Sequence, residues 1–145
     1  MSPVDQQLVE RKLQRIAENL TELEKVHRQG WNHYQSTKLV RKGTEKYIQE
    51  TVEAASDINS HILVEKGLGV PEDYYQGFIK LGEGRVIPFD LAQEIAPAAG
   101  LRNRIVHDYE KLDDRKVFDS IEKMFEIFPK YIQAVRNSLK MEMGT

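Results

Sequence analysis

The sequence predicts an all-α fold, an antiparallel bundle of four long helices and one short helix. Apolar residues recur at three- and four-residue spacings along most of the 145-residue chain, which is the pattern of amphipathic helices. Segments containing glycine or proline separate these stretches, and no convincing strand, internal repeat or low-complexity segment lies between them. At this length we expect one domain, residues 1–145, with a hydrophobic core of its own.

The first predicted helix covers residues 5–28. Its apolar positions, with charged residues between them, are Leu8, Leu13, Ile16, Ala17, Leu20, Leu23 and Val26. Gly30 and Asn32 are expected to end this helix. Trp31 and Tyr34 are then expected in the link that follows, packed over the end of the helix.

The second predicted helix runs from about Lys38 to Glu65. Its apolar stripe consists of Ile48, Val52, Ala55, Ile58 and Ile62. A cation followed by a glycine, Lys66-Gly67, is typical of a helix C-terminus. Pro71 then opens a short helix that ends near Leu81, because proline is favoured in a first helical turn.

The fourth predicted helix, which is the third of the long ones, begins near Phe89 and ends near His107, and we expect Pro97 to interrupt or kink it. Asp113 or Asp114 is expected to cap the last helix. The core face of that helix comprises Val117, Ile121, Met124, Phe128, Ile132, Val135 and Leu139.

Composition excludes several classes of protein. Charged residues make up 30% of the chain but the net charge is only −2, so any surface that binds RNA must be local. The absence of cysteine excludes disulfides, thiolate metal sites and cysteine nucleophiles. No apolar run is long enough for a membrane span, and the first five residues lack the features of a signal peptide, so we expect a cytoplasmic protein.

One segment, RNRIVHDY from Arg102 to Tyr109, places a cation within an apolar stripe. Arg102 lies seven residues after Ile95 and three before Ile105, at the spacing of one helical face. Burial of an unpaired guanidinium is costly, so Arg102 must find a polar cavity, an anionic partner or a subunit interface. Five residues further on, His107 is the side chain best suited to move a proton near neutral pH. The pair is suited to chemistry on phosphates.

The spacing Arg-x4-His-x-Tyr, with Asn directly after the Arg, resembles the signature of HEPN ribonucleases and, more narrowly, of the HepT toxins of HepT/MntA toxin–antitoxin pairs. The resemblance covers roughly residues 45–120. It includes the segments DINSHI, GLGVP, DYY, LAQEI and LD, which begin at Asp57, Gly67, Asp73, Leu91 and Leu112. It implies a HEPN-type helical bundle that forms a homodimer.

The resemblance also implies a function, a toxin ribonuclease that cleaves RNA without a metal or another cofactor. Arg102 and His107 would be the catalytic residues, with Arg102 holding two non-bridging phosphate oxygens and His107 moving protons. One histidine cannot readily act as both base and acid, so two copies of the motif would meet in a dimer cleft. A partner nucleotidyltransferase of the MntA type would neutralise the toxin by transferring AMP onto Tyr109.

Four further polar residues are candidates for support of the site or for RNA binding. Asn103, one turn before His107, either orients the imidazole or is solvated, whereas Arg104 is better suited to a phosphate contact. Asn59 lies close to the apolar stripe of its helix and is either buried and paired or part of the cleft. Asp57 and His61 have the spacing of two metal ligands, but without a third ligand they do not predict a metal site.

Each residue of the motif also has a structural interpretation. In this interpretation Arg102 would pair with a carboxylate at a dimer interface, and His107 would compensate the helix dipole. Tyr109 would be a half-buried side chain that packs against its neighbours. The leading alternative function is a non-catalytic helical subunit that docks and regulates a nucleotidyltransferase, with the segment from Arg102 to Tyr109 forming the contact. A cleavage assay on the purified protein separates the two functions.

Overall fold

The computed structural model describes residues 3–143, apart from the side chains of Tyr109 and Met143. Over these residues the protein is all-α and contains no strand, as the sequence predicts. A 3-10 turn, Tyr109–Lys111, connects the last two helices. The helices are α1 Gln6–Gln29, α2 Trp31–Ser36, α3 Lys38–Glu65, α4 Tyr74–Glu83, α5 Phe89–Ile95, α6 Ala98–His107 and α7 Asp114–Met143.

The three long helices form an antiparallel bundle in which α1 packs against both α3 and α7. The start of α1 lies beside the ends of both partners. The N–H of Asp5 donates to Nε2 of His61 at 2.9 Å, and the N–H of Val4 donates to Oε1 of Glu142 at 3.4 Å. The core between them consists of fully buried apolar side chains that include Leu13, Ile16, Leu23, Ile48, Ile58, Ile62, Phe128 and Tyr131. Burial of this apolar surface is the main stabilising contribution to the fold.

The segment after α1 was predicted to be a link, but in the structure it forms a short helix. Gly30 turns the chain in a left-handed conformation, with φ of +88°, and the helix α2 begins directly after it. This helix buries Tyr34 completely, and the rings of Trp31 and Tyr34 lie 5.7 and 5.2 Å from that of Phe118. Tertiary packing against α7 therefore stabilises a helix too short to form on its own.

The fourth predicted helix is divided, so the protein has three long helices in the described range rather than four. Pro97 ends α5 and begins α6, which confirms the predicted interruption, and the two pieces are 7 and 10 residues long. The short helix α4 begins later than predicted, because the carboxylate of Asp73 accepts the N–H of Gln76 at 2.8 Å and so caps it. Pro71 therefore lies before α4.

The short helices cover one side of the bundle and hold α6 in place. Helix α4 packs against both α3 and α5, and α6 packs against α3 and α4. Helices α4 and α5 approach closely at Gly82, where a Cβ atom would lie 2.5 Å from the Cβ of Ala92. In the described part of the chain, no helix combines the length and the apolar character that a membrane span requires.

Candidate functional site

The guanidinium of Arg102 is held between three helices. Its Nε and Nη2 donate to the same carboxylate oxygen, Oε2 of Glu53 on α3, at 3.1 and 2.7 Å. Its Cζ lies 4.8 Å from the ring centroid of Tyr74 on α4, a cation–π distance. Only 17% of the Arg102 side chain is exposed. The sequence left three possible environments for Arg102: a polar cavity, an anionic partner or a subunit interface. The structure shows an anionic partner within the same chain.

Glu53 is a residue of this site that the sequence interpretation missed. Its Oε2 accepts a third hydrogen bond, from Nε2 of Gln49 at 3.2 Å, one turn earlier on α3. Because Arg102 and Gln49 together donate three hydrogen bonds to this oxygen, the position of the carboxylate is fixed. The signal available in the sequence was weak: Glu53 is an acidic residue within a largely apolar stretch of α3, between Val52 and Ala54.

Arg102 keeps part of its hydrogen-bonding capacity. Its Nη1 donates to Oδ1 of Asn103 at 3.2 Å, and two bonds go to Glu53. A guanidinium carries five N–H groups, so two remain for a further acceptor. The oxygen of Asn103 thus serves Arg102, and within the described residues no hydrogen bond joins Asn103 to His107.

His107 is the last residue of α6 and is exposed to solvent. Arg104 lies one turn before it and is also exposed, in keeping with a phosphate contact rather than a core position. The chain then enters the 3-10 turn at Tyr109. The side chain of Tyr109, the predicted site of modification, lies outside the described part of the structure.

The structure does not bring Asp57 and Asn59 to Arg102. Asp57 forms a salt bridge of 2.9 Å with Lys12 of α1. Asn59 is fully buried, and its Oδ1 accepts the hydroxyl of Tyr131 at 2.5 Å. Asn59 therefore lies in the core, with its Oδ1 paired and its Nδ2 without a hydrogen-bond partner among the described residues.

The spacing of Asp57 and His61 also has a structural explanation. Nε2 of His61 accepts the backbone N–H of Asp5, so both side chains bind α1. In residues 3–143, no three His, Cys, Asp or Glu side chains gather in an arrangement that could hold a metal ion.

The site thus lies in an all-α bundle in which an Arg and a His are five residues apart on one helix, α6. A family profile described as Ribonuclease HepT-like matches residues 16–135. The chain belongs to this family. A tRNA nuclease HepT from Aphanizomenon flos-aquae (strain 2012/KM1/D3) is 32% identical over 139 residues, which cover 96% of this chain and 95% of that protein.

Solved structures have the same fold. The rebuilt and re-refined structure of a tri-AMPylated Shewanella oneidensis HEPN toxin in complex with MNT antitoxin gives a TM-score of 0.82 at 24% identity, and the alignment covers 90% of this chain and 97% of that one. YutE from Bacillus subtilis, described as a cytosolic protein of unknown function, gives a TM-score of 0.86 at 16% identity. That alignment covers the whole of this chain and 97% of YutE.

Proposed function

We propose that this protein is a toxin endoribonuclease that cleaves RNA without a metal ion, through Arg102 and His107 of two chains that meet in a homodimer cleft. The observation that carries the proposal is the state of Arg102. Glu53 and Tyr74 fix its guanidinium, two of its N–H groups have no hydrogen-bond partner among the described residues, and an exposed imidazole follows five residues later. A fixed cation beside a proton carrier is what in-line cleavage of RNA requires.

The reaction is an attack of the ribose 2′-oxygen on the adjacent phosphorus. His107 of one chain accepts the proton of the 2′-hydroxyl, and the P–O5′ bond breaks as the new P–O2′ bond forms. The partner's His107 donates a proton to the departing 5′-oxygen. The two free N–H groups of Arg102 bind the non-bridging oxygens, on which negative charge increases in the transition state. The products are a 2′,3′-cyclic phosphate and a 5′-hydroxyl.

These residues suffice for the chemistry, which is why we propose a metal-independent reaction. Preorganisation by Glu53 means that Arg102 need not reorganise when charge develops on the phosphate. The dimer supplies the second proton carrier. Transfer RNA is the first substrate to test, because the Aphanizomenon relative, which aligns over 95% of its length, is named a tRNA nuclease.

Control of the toxin would come from a partner nucleotidyltransferase of the MntA type that transfers AMP onto Tyr109. The Shewanella structure described as a tri-AMPylated toxin with MNT antitoxin supports this proposal. Tyr109 is two residues beyond His107, between the exposed residues Asp108 and Glu110. Each AMP would add a phosphate that competes with the phosphates of RNA for Arg102 and Arg104.

The proposal is tested with purified protein and end-labelled tRNA in excess chelator. We expect cleavage to persist, with products that carry a 2′,3′-cyclic phosphate. Loss of activity in chelator, followed by recovery with a divalent ion, would contradict a metal-independent reaction. Failure to cut tRNA and other cellular RNA in either condition would favour the alternative, a non-catalytic subunit that regulates a nucleotidyltransferase.

A further inference from the structure

A cavity of about 580 Å³ separates α6 and the 3-10 turn from α7. It opens on a different face of α6 from the one that brings Arg102 to Glu53. Its floor is apolar and nearly closed to solvent, with side chains from both helices: Leu101, Val117, Met124 and Ile127. Cavities of this size and composition hold small organic molecules in many proteins.

The rim of this cavity carries cations that lack a carboxylate partner. Arg104, Lys111 and Lys116 line it, and in residues 3–143 none of them forms an ion pair. The carboxylates nearby are mostly engaged elsewhere. Asp113 accepts two backbone N–H groups at the start of α7, and Glu94 pairs with Lys123 at 3.1 Å.

Asp108 is the remaining carboxylate at the rim. The residues that line the cavity carry four cations and three carboxylates, Glu94, Asp108 and Asp113, so the rim has a net charge of +1 and attracts an anion although the whole chain is slightly acidic. A ligand that combines a flat apolar group with a phosphate would satisfy both the floor and the rim.

We propose that this cavity holds one unpaired nucleotide of the RNA substrate, with its base on the apolar floor and its phosphate between Arg104, Lys111 and Lys116. This inference rests on the proposed ribonuclease function. Arg104 precedes His107 by three residues, so the two side chains lie about one helical turn apart and the rim of the cavity is close to the proposed proton carrier. A base can enter such a cavity only when it is unstacked and unpaired, as in a loop or a single strand.

Two methionines of α7 allow a direct test by NMR with ¹³C-labelled methionine methyl groups. Met124 lies in the floor and is 2% exposed, whereas Met141 is 73% exposed and lies outside the cavity. The probe is a short single-stranded RNA with 2′-O-methyl riboses, which cannot be cleaved through its 2′-oxygen. We expect this RNA to shift the methyl signal of Met124 and not that of Met141. The same RNA in a duplex should leave Met124 unchanged.

Matched variants on α7 define the site. Ser120→Trp fills the cavity and should abolish the shift of Met124, while Glu126→Trp, at an exposed position outside it, should not. Lys116→Glu on the exposed rim should weaken RNA binding about tenfold, and Lys130→Glu, exposed elsewhere on α7, should have little effect. The charge variants keep the test valid if Ser120→Trp does not fold.

An unchanged Met124 signal at saturating RNA, or equal shifts from single-stranded and duplex RNA, would overturn the inference. So would equal RNA affinities of Lys116→Glu and Lys130→Glu. Cleavage is measured separately, and absence of cleavage by the parent contradicts the proposed ribonuclease. The NMR experiment uses uncleavable RNA, so it shows whether the cavity binds a nucleotide whether or not the parent cleaves RNA.

Discussion

Nη2 of Arg102 lies 2.7 Å from Oε2 of Glu53, so a contact across 49 residues of sequence fixes the cation of the motif. We therefore propose that Glu53 positions Arg102 for the proposed reaction. The carboxylate binds two N–H groups on one edge of the guanidinium, and a third N–H group donates to Asn103.

Glu53→Gln should therefore lower kcat for RNA cleavage about 10- to 100-fold with a smaller change in KM, because a displaced guanidinium loses its alignment with the phosphorane. Glu50→Gln, on the same helix, is the matched control and should cleave at the parental rate. Glu53→Asp should recover part of the activity, since it restores the charge. Equal kcat values for Glu53→Gln and Glu50→Gln would show that Glu53 does not position Arg102 for the reaction.

Tyr109→Phe should remain active in RNA cleavage and resist neutralisation, because it lacks the oxygen that would accept AMP. Parent and variant are incubated with the cognate nucleotidyltransferase, ATP and magnesium, and then weighed intact. Tyr75→Phe, an exposed tyrosine on α4, controls for the loss of a phenol and should gain AMP like the parent. An equal mass gain on Tyr109→Phe would assign the modification to another residue.

The buried tyrosines Tyr131 and Tyr34 should respond differently to removal of the hydroxyl. The hydroxyl of Tyr131 bonds to Asn59, whereas that of Tyr34 has no hydrogen-bond partner in the described part of the chain. Tyr131→Phe leaves a buried acceptor unsatisfied and should lower the free energy of unfolding by about 1–3 kcal/mol. Tyr34→Phe should change it by less than about 0.5 kcal/mol. Urea denaturation at neutral pH compares them, and equal losses would contradict the assigned contacts.

Alkaline pH should destabilise the fold through the same two residues. Burial raises the pKa of Tyr131 well above its usual value, and burial and the nearby Glu45 raise the pKa of Tyr34. The unfolded chain releases these protons near pH 10 and the folded chain does not, so stability is complete below pH 10 and falls above it. Each tyrosine contributes a slope of about 1.4 kcal/mol per pH unit.

The double variant Tyr34→Phe/Tyr131→Phe should accordingly have a flatter profile of unfolding free energy between pH 10 and pH 11. Tyr75→Phe, at an exposed position, should keep the slope of the parent. Identical slopes for all three proteins would mean that neither buried tyrosine retains its proton at high pH.

The sequence predicted the long helices well because each buries a stripe with helical periodicity. The predicted ends of α3 and the start of α7 agree with the structure. Helix α2 was missed because its stability comes from the contact of Trp31 and Tyr34 with Phe118, far away in the chain. A local sequence pattern cannot reveal a contact with a residue so distant in the chain.

For the candidate site, too, the sequence predicted some features and missed others. Periodicity indicated that Arg102 needed a polar cavity, an anionic partner or a subunit interface. It could not select Glu53 among the acidic residues of the chain, because that choice depends on how α6 packs against α3. Asn59 was left between core and cleft for the same reason, since its partner Tyr131 lies 72 residues away. The cavity between α6 and α7 has no local signature at all.

The proposed ribonuclease is tested most directly by cleavage of end-labelled tRNA with purified His107→Ala. The side chain of His107 is exposed at the end of α6, so its removal should leave the melting temperature unchanged while cleavage is lost. His33→Ala, an exposed histidine on α2, is the matched control and should cut at the parental rate. A folded His107→Ala protein that cuts tRNA as fast as the parent would contradict the catalytic role of His107 and the account built on it.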